Sequence, residues 1–163
     1  RDDDCLSNVV PYKRDKELVG NEISVCKLLE NFINRYKIED KFVQLHVTNP
    51  FLKRETVLHA FDMMGIYDSM VSCNKLQTRL WRKESYGYVP INHNPLKLEQ
   101  TQDLPELLEE NSCFYVIDPS VFKRYGRIGE NPHFYEVTYP ENLDIDTEKD
   151  WDVCESYRNS FYE

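Results

Sequence analysis

The chain has 163 residues, of which 40% are hydrophobic, with five glycines and eight prolines. That is enough for one domain with its own core, and the composition is not that of a disordered segment. The net charge of −9 argues against nucleic acid or an anionic membrane as the main partner, though an anionic ligand in a local basic pocket stays open.

In chain order, RDDDCLSNVVPYKRDKEL starts without Met and shows no periodicity, which reads as a chain missing its first elements. ISVCKLLENFINRY then puts Ile23, Cys26, Leu29, Ile33 and Tyr36 on one helical face, with Asn21 as the expected N-cap. KFVQLHV predicts a central strand, stopped by Pro50. A helix is expected from Thr56 to Met64, ended by Gly65, and a strand over DSMVSCN. The span 75–94 holds aromatic and β-branched residues around Glu84–Ser85 and Gly87, and reads as a hairpin or extended arm. A short helix over Leu104 to Glu110, a buried strand SCFYVI, a helix PSVFKRYG and a strand HFYEVT follow. The last helix, DTEKDWDVCESYRNSF, places Val153, Cys154, Tyr157 and Phe161 near one face. Alternating strands and helices with short links predict an α/β sheet flanked by helices.

No apolar run is long enough to cross a bilayer, and no signal-like segment opens the sequence. The five cysteines (Cys5, Cys26, Cys73, Cys113 and Cys154) form no C-x-x-C pair, which predicts reduced thiols in a cytoplasmic protein. Cys26, Cys113 and Cys154 have apolar neighbours and are expected in the core. His46, His59, His93 and His133 show no metal-ligand spacing.

ENLDIDTEKDW raises the main chemical question. In an extended LDID segment, Asp144 and Asp146 fall on one side, and Leu143 and Ile145 on the other. Their carboxylates repel unless a cation or donors intervene. On this motif alone the simpler reading is capping, with Asp146 or Thr147 starting the last helix. The alternative is a Mg²⁺ site, which takes one or two carboxylates and substrate phosphates.

QLHVTNPF, TQDLPELLEENSCFYVI and ENLDIDTEKDW, in that order, resemble the acylneuraminate cytidylyltransferase family, the CMP-sialic acid synthetase group. The family carries L-Q-P-T-S-P-L-R-like, T-Q-D-L-P…E-N-G-x-x-Y and D-I-D-x-x-x-D segments, and KRDKELVGNEIS is similar to its R-P-x-x-L-x-x-D segment. The resemblance implies a Rossmann-like three-layer nucleotide-diphospho-sugar transferase fold. It also implies a cytoplasmic, Mg²⁺-dependent enzyme joining an acidic nine-carbon sugar to CMP from CTP, with release of pyrophosphate. Asp144 and Asp146 would hold the metal, and one would polarise the attacking hydroxyl. Arg14 and Ser24 would face the nucleotide. His46, Thr48, Asn49, Gln102, Asp103, Asn111, Ser112 and Tyr115 would line the substrate pocket. Each has a plainer reading: a turn for Thr48 and Asn49, a helix cap for Asp103, a core aromatic for Tyr115. The arm at 75–94 would join a homodimer through Trp81, Tyr86 and Tyr88, or else fold on its own domain.

The sequence also departs from the family. A glycine- and lysine-rich triphosphate loop is expected upstream and is not in the given sequence. The chain therefore reads as a single cytidylyltransferase-like domain, incomplete at its N-terminus, that binds CTP poorly by itself. Leu52 and Gln100 stand where relatives carry arginine, and Ser112 stands where they carry glycine. Arginine suits a carboxylate because its fork binds two oxygens, so these changes leave the identity of the sugar open. Two further readings stay open: a non-catalytic dimeric sugar-binding or assembly module, and a nucleotidyltransferase using another sugar or base.

Overall fold

The computed structural model describes residues 9–161. Cys5 and the acidic opening lie outside them, as does the side chain of Phe161. The chain divides into two compact units, one ending at Glu39 and one starting at Asp40. No described helix is long and apolar enough to cross a membrane.

The first unit is organised by α1 (Val25–Tyr36). Ser24, not Asn21, caps it: the Ser24 hydroxyl accepts from the Lys27 amide at 3.4 Å. Lys37 closes the helix in the left-handed conformation, at φ 51°. Tyr12 stands edge-on to Phe32 and Tyr36, with ring centroids 6.0 and 5.9 Å away, and Ile33 is buried. Cys26 is exposed, contrary to the expectation of a core position. It shares the stripe of Ile33 but lies about two turns nearer the N-terminus, away from the turns the Tyr12 ring touches.

The second unit is built on a mixed four-stranded sheet. Its strands are β1 (Phe42–Leu45), β2 (Ser69–Leu76), β5 (Leu107–Ile117) and β6 (Pro132–Glu136), in the order β1-β5-β2-β6. β5 runs antiparallel to both β1 and β2, and β6 lies parallel to β2. The apolar run Cys113–Ile117 is wholly buried, which explains why β5 is central. Phe114 and Val116 join Met70 and Val137 in a core closed by Ala60 of α2 (Arg54–Met63) and by Met64. By alternation, Tyr115 faces the opposite side of the sheet. Helices α3 (Pro119–Tyr125) and α4 (Glu148–Phe161) complete the unit.

Two features of β5 run against the sequence reading. Leu104 to Glu110 is not a helix. Thr101–Asp103 makes a short 3-10 turn, and Leu107–Glu110 pairs with Cys73–Leu76. The leucines and glutamates favour a helix locally, but the ladder to β2 overrides that preference. No helix follows Asp103 for it to cap. The pairing of β5 with β2 also breaks. Val71 faces Tyr115, yet Cys73 faces Glu110, so Asn111 to Cys113 bulge out. Ser112 takes φ 58° there, and the Ser72 hydroxyl fills the gap by accepting from the Phe114 amide at 2.9 Å.

The 75–94 span does form a hairpin. β3 (Trp81–Glu84) and β4 (Gly87–Pro90) pair as a separate two-stranded sheet. Buried Asn92 ties its base, accepting from the Leu80 amide at 2.9 Å and donating to the Thr78 carbonyl at 2.7 Å.

Candidate functional site

The chain leaving β1, the bulge of β5 and the segment 141–147 meet at the C-terminal end of β1. Ligands of open α/β sheets bind at such strand ends. The Ile145 amide donates to the Thr48 carbonyl at 3.0 Å, and the Asn49 side chain donates to the Leu143 carbonyl at 3.1 Å. These two bonds pin the acid segment on either side of Asp144.

Asp144 is half-buried, and its Oδ1 is enclosed with no hydrogen-bond partner. Asn49 Oδ1 and Gln44 Oε1 are likewise enclosed and unpartnered. Three buried acceptors on adjoining segments thus lack a donor, a condition native proteins seldom leave uncorrected. Asp146 is exposed, and only its amide is engaged, donating to Asp150 at 3.3 Å. The segment belongs to no strand at 143–145 and bends at Asp146, so regular strand alternation does not set the directions of the two acids.

Capping of α4 falls to other side chains. The Thr147 amide and hydroxyl donate to the Asp150 carboxylate at 2.8 and 2.7 Å, and the Asp150 amide returns to the Thr147 hydroxyl at 3.4 Å. Those bonds hold the Asp150 carboxyl below its ordinary range. Of the two expected caps, Thr147 is the one used, and the Asp144 carboxylate is not needed by the helix.

Cys113 packs beside the acid segment, its thiol 3.9 Å from the Glu141 carbonyl. Burial, and then the charge of Asp144, push the thiol up to about 11. Asn74 of β2 gathers the surrounding loops, its side-chain oxygen accepting from Asn111 at 2.8 Å and from Asn142 at 2.9 Å. Asn111 in turn accepts from the Cys113 amide at 3.2 Å, so its described role is to close the bulge.

Tyr115 forms a second focus on the face opposite α2. Its hydroxyl donates to Glu110 and lies 3.1 Å from the Ser112 hydroxyl. Burial and the Glu110 bond push its phenol up. The Arg127 guanidinium lies over the ring, 4.2 Å from its centroid. The His46 ring stands 6.5 Å away and meets Gln44 at 2.8 Å.

The structure therefore brings His46, Thr48, Asn49, Asn111, Ser112, Tyr115 and Asp144 around one strand end, with Asp146 beside them. Arg14 and Ser24 lie in the first unit, Arg14 exposed and Ser24 engaged as a cap. Gln102 and Asp103 are exposed on the 3-10 turn, where Gln102 bonds Gln100 and the Asp103 amide bonds the Gln100 carbonyl at 3.0 Å. His59, His93 and His133 pack on Tyr135, Trp81 and Tyr67. Sequence reasoning missed Gln44, Asn74, Asn142 and Arg127. Gln44 carried a signal, standing two residues before His46 and hence on the same strand face. The other three carried none.

Among the described residues no group of three or more His, Cys, Asp and Glu side chains is arranged to hold a metal. A site for Mg²⁺ needs fewer protein ligands, because that ion keeps waters and shares phosphate oxygens. Half-buried Asp144, with one unpartnered carboxylate oxygen, would be the hard donor for such an ion, and exposed Asp146 lies two residues on.

No family model matches the chain. It is 25% identical over 150 residues to the N-acylneuraminate cytidylyltransferase A of Danio rerio, covering 88% of this chain and 35% of that protein. It is 29% identical over 160 residues to the CMP-N,N'-diacetyllegionaminic acid synthase of Legionella pneumophila, covering 90% of this chain and 67% of that protein. To the N-acylneuraminate cytidylyltransferase of Oncorhynchus mykiss it is 24% identical, covering 88% of this chain and 34% of that protein. The chain thus spans about a third of the length of the fish relatives.

Proposed function

We propose that this chain, a relative of the acylneuraminate cytidylyltransferases by similarity over most of its length, carries the sugar-binding and acid-pair part of a CMP-sugar synthetase. The observation that supports this most is Asp144, one carboxylate oxygen of which is enclosed without a donor, on a backbone tied to Thr48 and Asn49 through Ile145 and Leu143 at the end of β1.

In this reading the anomeric hydroxyl of a sialic acid-like sugar attacks the α-phosphorus of CTP. The new P–O bond forms as the bond to the bridging oxygen breaks, pyrophosphate departs, and the hydroxyl proton passes to a carboxylate of the acid pair. His46 and Tyr115 bound the sugar on the opposite side from α2. Asp144 and Asp146 would hold Mg²⁺, which would supply positive charge against the negative charge developing on the triphosphate. Positioning supplies much of the rate in such transfers, and the Thr48 and Asn49 bonds fix the Asp144 backbone before substrate arrives.

The test is pyrophosphate release by the full-length protein carrying this chain, with CTP, Mg²⁺ and nine-carbon sugar acids. The Asp144→Asn variant should lose on the order of a hundredfold or more in kcat. Unchanged turnover in that variant removes Asp144 from the chemistry.

The hairpin enters the same proposal as a dimer contact. Trp81, Tyr86 and Tyr88 are 49%, 81% and 69% exposed, and aromatic side chains of this kind anchor interfaces. Light scattering at micromolar concentration should give a dimer. A monomer there would remove the arm from the proposal and leave the acid pair untouched.

A further inference from the structure

Leu52 and Gln100 stand where the resemblance leads one to look for carboxylate-reading arginines, and neither can do that work. Leu52 packs against the hydrophobic core, and Gln100 is exposed and bonded to Gln102. The structure offers a guanidinium from another element. Arg127 follows Gly126, which takes φ 82° as α3 ends, and its side chain is only 24% exposed. Its Cζ lies over the buried Tyr115 ring, 4.2 Å from the centroid, a cation–π contact that uses none of the guanidinium N–H donors in a conventional hydrogen bond.

The charge partner that the structure gives Arg127 is loosely held. Glu110 Oε1 is 3.9 Å away, at the limit of an ion pair, and the same oxygen already accepts the Tyr115 hydroxyl. A guanidinium has five donors, and one long contact uses few of them. A largely buried guanidinium, held against a ring and with spare donors, is suited to bind a carboxylate through two parallel bonds.

We infer that Arg127 reads the carboxylate of the sugar acid, and that Glu110 is an internal counter-ion which the substrate carboxylate displaces. The inference rests on the function proposed above and adds to it the residue that selects an acidic sugar over a neutral one. Tyr115 supports the guanidinium and, through its bond to Glu110, engages the competing carboxylate.

Calorimetric titration of the full chain with N-acetylneuraminate and with its methyl ester tests this. The wild type should favour the acid at least tenfold. Arg127→Gln should erase that preference by weakening the acid alone. Arg127→Lys should restore only part of it, because lysine has no fork. Glu110→Gln should tighten acid binding several-fold and leave the ester unchanged. Circular dichroism confirms folding, and the ester supplies an internal control for an intact pocket. Retention of the acid preference in Arg127→Gln overturns the assignment. Such a result alongside CMP transfer by the full-length wild type leaves the cytidylyltransferase reading standing. A wild type that neither binds nor turns over any sugar acid overturns both.

Discussion

Asn49 donates to the Leu143 carbonyl at 3.1 Å from a side chain that is only 7% exposed. Together with the Ile145–Thr48 bond, it couples the exit of β1 to the acid segment. Asn49→Ala leaves that carbonyl without its donor, which costs about 1–3 kcal/mol. Urea unfolding should show a lower midpoint with an unchanged slope. The same variant should lower kcat in the full-length protein, because Asp144 is then held by the Thr48 bond alone.

Ser112 sits at φ 58°, where a side chain is strained and glycine is not. Its hydroxyl also meets Tyr115 at 3.1 Å, so a single substitution confounds the two effects. Comparing Ser112→Ala with Ser112→Gly separates them, since both lose the hydroxyl and only alanine keeps the strain. Glycine should be the more stable of the pair by about 1 kcal/mol. Equal stabilities would mean that the bulge relaxes without cost.

Gly129 lies in the loop that carries Arg127, and a Cβ placed on it would fall on the Asp68 carboxylate. Asp68 cannot easily move aside. It accepts from the amides of Glu130 and Asn131 at 2.8 and 2.9 Å and from the Ser69 hydroxyl at 3.0 Å. Gly129→Ala should therefore cost roughly 2 kcal/mol, in the range of overpacking, with a matching fall in thermal midpoint.

The Cys113 thiol is pushed up to about 11, from 9.0, by burial first and the Asp144 charge second. The folded state thus resists forming the thiolate. Its contribution is fully present below pH 9 and is lost as the pH rises toward 11. Denaturant midpoints should fall across that window, and Cys113→Val should flatten the fall. At pH 8, iodoacetamide should label exposed Cys26 well before buried Cys113.

Much of the second unit was legible because its elements are strongly periodic. The buried run from Cys113 to Ile117, the α3 sequence with Pro119 early and Gly126 late, and the hairpin around Gly87 all announce themselves locally. The front half of β5 did not. TQDLPELLEE has helical composition, and only the ladder from Leu107–Glu110 to Cys73–Leu76 makes it a strand. The capping question at LDIDTEKD had an answer within its own letters, since Thr147 and Asp150 form a T-x-x-D pair and release Asp146 from that duty. Arg127, Asn74 and Asn142 were invisible for a different reason. Their partners lie far off along the chain, and neither a lone polar residue in a loop, as Arg127 and Asn142 are, nor one near the end of a strand, as Asn74 is, has a period to betray it. Ser112 was noticed as a departure from glycine, but the left-handed backbone that gives the departure its meaning belongs to the bulge and is seen only in three dimensions.

The guanidinium of Arg127 hangs from the loop before β6, and the acids hang from the segment after it, with β6 bonded to the sheet along β2 alone. Two neighbouring loops, separated by one five-residue edge strand, can therefore mutate on separate schedules. On the proposed reading, a lineage could revise the Arg127 loop on one side of that strand while inheriting, undisturbed, the acid segment on the other.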